Sequence, residues 1–172
     1  MATAPALLSI TDYLRTSYKP DVDFIDGVLW KRNGGKYEHG KLQGWVFQIF
    51  NLNGKASGTD PVVEQRIRIH PNQVRVCDVA ILRSDALREE ITTHPPLICV
   101  EILSPDDRLS RSKLVLADYL TMGVENIWLI DPIYRAAWTF DATGLHEADP
   151  TRLTVPNTPI HLDLTEAFAS LD

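Results

Sequence analysis

The chain has 172 residues, of which 44% are hydrophobic and 23% are charged. These are ordinary values for a globular protein, and they exclude a disordered or fibrous chain. The length suits one domain, which we expect to span residues 1–172. Lys and Arg number 17 against 23 Asp and Glu, giving a net charge of -6 and no global attraction for nucleic acid. Any function on DNA must therefore rest on a local patch or a metal ion.

The cellular location is predicted from the apolar segments and the cysteines. No apolar run reaches the roughly 18 residues that a membrane helix needs, and no signal peptide is visible. Cys77 and Cys99 lie in strongly apolar segments, which predicts buried, reduced thiols. We therefore expect a cytoplasmic protein with no membrane partner.

The first thirty residues predict a short helix and a hairpin. Ser9–Asp12 has the form of a capping box that opens a helix. Val22–Phe24 and Val28–Trp30 then flank Asp26-Gly27, a pair typical of the tight turn between two antiparallel strands.

The middle of the chain changes from helical to strand periodicity. From Tyr37 to Leu52 apolar residues recur at three and four positions, which predicts a helix ended by Asn53-Gly54. From Val63 to Ile69 apolar and polar residues alternate, which predicts a half-buried strand. Two strands are expected next, Val74–Leu82 and Leu97–Leu103, and the second is apolar enough to be covered on both faces.

The last third predicts a helix over Arg108–Met122, closed by Gly123. A hairpin of Asn126–Asp131 and Tyr134–Phe140 follows, and then a short helix at Leu164–Leu171. The expected fold class is therefore α/β, a mixed β-sheet flanked by α-helices.

Two acids have unusual neighbours. Asp78 and Glu101 are each a lone carboxylate inside a hydrophobic strand, where an unpaired charge is very costly. An arginine partner, a strand end open to solvent or a metal ion could each compensate for that charge. On adjacent strands the two acids would form a pair suited to Mg²⁺, which prefers oxygen ligands. Their mutual repulsion would then raise one of the two pKa values in the metal-free protein.

The segments around these acids resemble a known family. The matching stretches are Arg75–Val79, Pro95–Arg108 and Asp118–Pro132, with weaker matches at Asp23–Gly27 and His39. They resemble the putative restriction endonuclease family of bacterial proteins, in the PD-(D/E)XK nuclease superfamily. The resemblance covers most of the chain, and it implies a restriction endonuclease-like fold whose middle strands carry the acids.

The resemblance also implies an activity, which is Mg²⁺- or Mn²⁺-dependent hydrolysis of DNA phosphodiester bonds. Asp78 and Glu101 would be the metal ligands and catalytic acids. The implied partners are DNA and a second copy of the chain in a homodimer.

The basic residue of the superfamily motif is missing at its usual places. Leu103 stands two positions after Glu101, where the motif name requires a lysine. In the family the lysine is commonly supplied four positions before a tyrosine that matches Tyr119, and here Val115 stands there. Lys113, Arg111 or no residue could replace it, so Lys113 and Arg111 are candidate catalytic residues.

A basic cluster and the start of the long helix complete the candidate site. Arg108, Arg111 and Lys113 would contact the phosphate backbone in a nuclease, although a solvated helix face is the usual explanation for such a run. The resemblance places His39 or Glu38 at the rim of the site, with a solvated helix start as the alternative.

Other residues are predicted to have structural roles. Glu64, on the predicted strand before Asp78, could be a third acid of the site, but its alternation with Arg66 and Arg68 favours a solvated strand face. The four tryptophans are interpreted as core residues rather than a base-stacking platform. They are Trp30, Trp45, Trp128 and Trp138.

Two functions from different classes remain open. The first is a Mg²⁺-dependent endonuclease, favoured by the acid pair. The second is a catalytically impaired nuclease-fold protein that acts as a nucleic-acid-binding or protein-interaction module, favoured by Leu103 and Val115 at the lysine positions.

Overall fold

An eight-stranded mixed β-sheet forms the centre of the fold. The computed structural model describes residues 7–33 and 35–172, and in these ranges no helix is long and apolar enough to cross a membrane. The elements in chain order are α1 (Ile10–Arg15), β1 (Val22–Ile25), β2 (Val28–Lys31), α2 (Tyr37–Ser57), β3 (Thr59–His70), β4 (Gln73–Arg83), β5 (Ile98–Ile102), α3 (Leu109–Met122), β6 (Asn126–Asp131), β7 (Ala136–Asp141), β8 (Gly144–Glu147), β9 (Arg152–Thr154), β10 (His161–Asp163) and α4 (Leu164–Ala169).

The strands of the main sheet follow the order β2-β1-β4-β5-β6-β7-β8, and β3 pairs with the remaining edge of β4. Among the strands of the described residues, β5 and β6 are the one parallel pair, and α3 makes the crossover between them. The other pairs are antiparallel, and β9 and β10 form a separate two-stranded sheet. The predicted α/β class, with a mixed sheet flanked by helices, is confirmed.

The helices cover both faces of the sheet. Side chains of α2 and α4 pack with Val100 and its neighbours in one core. Leu116 and Tyr119 of α3 pack with Cys99 in the second core. Because β5 alternates its side chains between these two cores, it is buried on both faces, as its apolar sequence predicted. Cys77 and Cys99 are buried free thiols.

The predicted end of α2 was wrong. The helix continues through Asn53-Gly54 to Ser57 and ends at Gly58, which has a left-handed backbone with φ of 69°. A side chain at Gly54 would place its Cβ 2.6 Å from the Thr59 carbonyl oxygen. The glycine therefore permits the next strand to fold back closely against the helix rather than ending it.

Three other sequence predictions differ from the structure. Strand β3 begins at Thr59, four residues before the alternating pattern becomes visible. The strands β8, β9 and β10 were not predicted, because segments of three or four residues are too short to show a period. Trp30 is 38% exposed on the edge strand β2, so its assignment to the core was wrong, whereas Trp128 is buried.

Candidate active site

Asp78 and Glu101 lie on neighbouring strands. The antiparallel pairing of β4 with β5 runs to Val79 opposite Val100, so the two acids are the next residues along each strand. Beyond that point the Ile102 backbone N–H donates to Oδ2 of Asp78 at 2.8 Å. Both acids line one pocket. The expected adjacency of the two strands is confirmed, and the strands end their pairing where the acids meet.

Asp78 is buried and has two side-chain partners. Its Oδ1 accepts a hydrogen bond from the guanidinium of Arg32, which follows β2, and its Oδ2 lies 3.2 Å from Nε2 of His39 at the start of α2. Burial opposes ionisation, but the hydrogen bond from His39 and the charge of Arg32 outweigh it and lower the pKa of Asp78. An arginine partner was one of the alternatives that the sequence left open, and the structure shows it.

His39 is held in place by its surroundings. A Cβ on Gly35 would lie 2.8 Å from Nδ1 of His39, so only a glycine permits the ring to approach the backbone so closely there. Burial lowers the pKa of His39, but the hydrogen bond to Asp78 and the negative charge of Asp78 together outweigh burial, so the pKa is raised. Glu38 is half-buried and does not line the pocket. Of the two rim candidates, the structure brings His39 alone to the acids.

Glu101 has a different environment from Asp78. The hydroxyl of Tyr119 donates to its Oε1 at 2.6 Å, and among the described residues this is its one side-chain hydrogen bond. Burial, and after it the charge of Asp78, raise the pKa of Glu101 well above its ordinary value. One acid of the pair is therefore stabilised in its charged form and the other in its neutral form, as repulsion between them requires.

Glu64 contacts the residues of this site, although a solvated strand face was the preferred interpretation of its sequence pattern. It ion-pairs with Arg32, and its Oε1 accepts from Nε2 of Gln43 at 2.8 Å. The same amide nitrogen donates to the Asp78 carbonyl at 2.9 Å. Glu64 lies opposite Asp78 in the β3–β4 register, and its φ of 51° is uncommon for a residue with a side chain.

The interpretation of Glu64 as a solvated strand residue was thus incomplete. Its side chain is 44% exposed, but it contacts the partners of Asp78. Gln43 lies one turn after His39 on the same face of α2, so helical spacing could have indicated it. No periodic signal marks Arg32, because it lies after the end of β2.

The three residues of the predicted basic cluster differ in their position relative to the pocket. Arg111 lines the pocket, donates to the Lys31 carbonyl and lies over the Trp30 ring at 5.7 Å from its centroid. Arg108 and Lys113 are exposed and do not line the pocket. The structure therefore brings one of the three predicted phosphate contacts to the acids, and it does not bring Lys113 there as a replacement for the missing lysine.

The two positions where a lysine was expected are both at the pocket wall. Leu103 follows β5 and Val115 lies on α3, and both line the same pocket as the acids. This wall is apolar where the superfamily motif has a positive charge. Among the described residues, the guanidinium groups that line the pocket are those of Arg32 and Arg111.

A family profile described as "Uma2: Putative restriction endonuclease" matches residues 10–169. The chain belongs to this Uma2 family. The fold is similar to the crystal structure of a putative nuclease belonging to DUF820 from Anabaena variabilis, with a TM-score of 0.80 and 19% sequence identity. The similarity covers 95% of this chain and 99% of that chain. The comparison with curated proteins found no match.

Family membership supports a nuclease-type function. Restriction endonuclease-like proteins generally use divalent metal ions. Within residues 7–33 and 35–172, no group of three or more His, Cys, Asp and Glu side chains is placed to hold a metal ion. The carboxylates of Asp78 and Glu101 have the oxygen chemistry that Mg²⁺ and Mn²⁺ prefer. The donor chemistry fits such an ion, although Oδ1 of Asp78 is occupied by Arg32.

Proposed function

We propose that this Uma2 protein is a Mg²⁺- or Mn²⁺-dependent endonuclease that hydrolyses DNA phosphodiester bonds, with Asp78 and Glu101 as metal ligands. The observation that supports the proposal is the convergence on one pocket of two carboxylates from adjacent strands, of which Asp78 is buried and Glu101 half-buried. Bound there, a divalent ion would activate a water and neutralise negative charge on the phosphodiester.

The neighbouring residues orient the two acids. The Ile102 N–H and His39 hold Oδ2 of Asp78, and Tyr119 holds Oε1 of Glu101. Such supporting hydrogen bonds fix the direction in which a carboxylate presents its remaining lone pairs. Arg111, at the wall of the same pocket, would contact a phosphate of the backbone without reading the DNA sequence.

Cleavage of supercoiled plasmid with MgCl₂, MnCl₂ or EDTA tests this function. We expect nicking with either ion, none with EDTA, and a rate lower by about 100-fold or more in Asp78→Asn and Glu101→Gln. Glu125→Gln is the matched control, because Glu125 is exposed and does not line the pocket, and it should cleave like the wild type. Equal rates in wild type and Asp78→Asn would contradict the proposal.

A second function is supported by the apolar wall at Leu103 and Val115. With no lysine there, the protein would act as a nucleic-acid-binding or protein-interaction module of the nuclease fold. Fluorescence anisotropy with a labelled DNA duplex, together with the plasmid assay, separates the two functions: binding without cleavage in either ion favours the module. The homodimer and the cytoplasmic location stay predictions.

A further inference from the structure

Arg32 places a permanent positive charge against the acids. Its guanidinium bonds Oδ1 of Asp78 through one nitrogen and Glu64 through another, and its side chain is 18% exposed. An arginine keeps its charge at any pH at which a protein is folded. Asp78 therefore already has a cation as its partner in the absence of any metal ion.

The contacts of Asp78 leave one direction of approach. Oδ2 is held by the Ile102 N–H and lies beside His39, so Oδ1 is the oxygen that a further cation could reach. Arg32 occupies that oxygen. A divalent ion at Oδ1 would lie beside the like charge of the guanidinium, and this repulsion favours displacement of the contact over sharing it.

We propose that Arg32 is an internal competitor of the divalent ion, so that metal binding requires its guanidinium to withdraw from Asp78. This inference rests on the proposed function, because it concerns the same two acids. It explains how the pair Asp78 and Glu101 is tolerated at one pocket without metal, and it makes the metal affinity depend on a residue that is not a ligand.

The position of Arg32 in the fold makes such a withdrawal possible. It lies between the end of β2 and the start of α2 rather than inside a central strand. Its second partner, Glu64, is 44% exposed, so the guanidinium can keep that contact while it leaves Asp78. Arg75, by contrast, is 4% exposed and enclosed between two aspartates.

The test is calorimetric titration of the full chain with MnCl₂ in the absence of DNA. Arg32→Met keeps an unbranched side chain of similar apolar character and removes the guanidinium and its charge. We expect the Kd for Mn²⁺ to fall by about tenfold or more, since a hydrogen bond to a charged group no longer has to be broken. The same variant should have a lower Tm without metal, because the charge of Asp78 loses its partner.

Arg111→Met is the matched control. It removes the same charge from the wall of the same pocket, but among the described residues Arg111 pairs with no acid. We expect its Kd to change by less than about threefold, which measures the general effect of one positive charge near the site. A tenfold change in both variants would show a long-range charge effect and would overturn the competition.

Arg32→Lys covers the case in which Arg32→Met does not fold. Lysine keeps the charge but cannot make two fork-like contacts, so we expect a smaller fall in Kd, of about two- to fivefold. If the wild type binds Mn²⁺ and the folded variants bind it no more tightly, the inference is wrong and the proposed metal site stands. If no form of the protein binds Mn²⁺, the inference and the metal site are both wrong.

Discussion

Two clusters in this protein pair a buried aspartate with an arginine, and they differ in how well their charges are matched. In the first, Arg75 contacts Asp23 at 2.8 Å and Asp118 at 2.6 Å. The N–H of Val76 donates to Asp23, and Gln73 donates to Asp118. The polar atoms of this cluster find partners within it, and the cluster ties β1, β4 and α3 together.

The second cluster is left incomplete. Arg32 serves both Asp78 and Glu64, while Glu101 has one side-chain hydrogen bond among the described residues and a raised pKa. Arg32, Asp78 and Glu101 of this cluster line the pocket, which Asp23 of the first cluster also lines, and Glu64 has a positive φ. Matched charges stabilise a fold, whereas unmatched carboxylates at a pocket are typical of a functional site. An aspartate–arginine pair thus has a structural role in the first cluster and a proposed functional role in the second.

The largest expected effect tests the structural cluster. Arg75→Met should lower the free energy of unfolding by about 3–5 kcal/mol, because it leaves a buried aspartate without its cation. Arg32→Met should lower it by less, since Asp78 keeps the Ile102 N–H and His39. Urea unfolding followed by circular dichroism measures both. A greater loss in Arg32→Met would show that the second cluster is the main structural ion pair.

The next effect is stabilisation by a metal ion, which should depend on the second cluster and not on the first. Millimolar Mn²⁺ should stabilise the wild type by about 2.7 kcal/mol at a hundredfold excess over Kd. Arg75→Met should keep this response, while Asp78→Asn should lose it. Thermal unfolding with and without MnCl₂ measures the shift in Tm. Identical wild-type curves would contradict the metal site.

The smallest effect is a pH dependence that comes from Glu101. Burial and the charge of Asp78 raise its pKa in the folded state, so the folded protein binds a proton more tightly than the unfolded chain does. Ionisation of Glu101 therefore lowers the free energy of unfolding as pH rises from the pKa of the unfolded state to the raised pKa of the folded state. Above the folded-state pKa this loss is constant.

Glu101→Gln removes this ionisation and should stabilise the metal-free protein more at high pH than at low pH. The measurement is the difference in Tm between variant and wild type across pH 4–9, with Glu125→Gln as the control. A difference that shrinks as pH rises would contradict the assignment of the raised pKa to Glu101.

Much of the fold could be predicted from patterns within single elements. The alternation after Val63, the apolar run around Val100 and the stripe of α2 each report which face of one element is buried. Asp78 and Glu101 were found for the same reason, since a lone acid interrupts such a pattern. The end of α2 was misjudged because Gly54 serves a contact with Thr59, which the helix pattern does not contain.

The sequence by itself determined the α/β class, the family of the chain and the choice of Asp78 and Glu101 as candidate site residues, because periodicity and motifs are local properties of the chain. Only the tertiary structure decided which cation meets the acids. Arg32 reaches Asp78 across 46 residues, while Lys113 on α3 stays exposed. Such a contact depends on the register of β3 with β4 and on the path from β2 to α2. Those features are fixed by packing between elements, and no single segment of sequence encodes them.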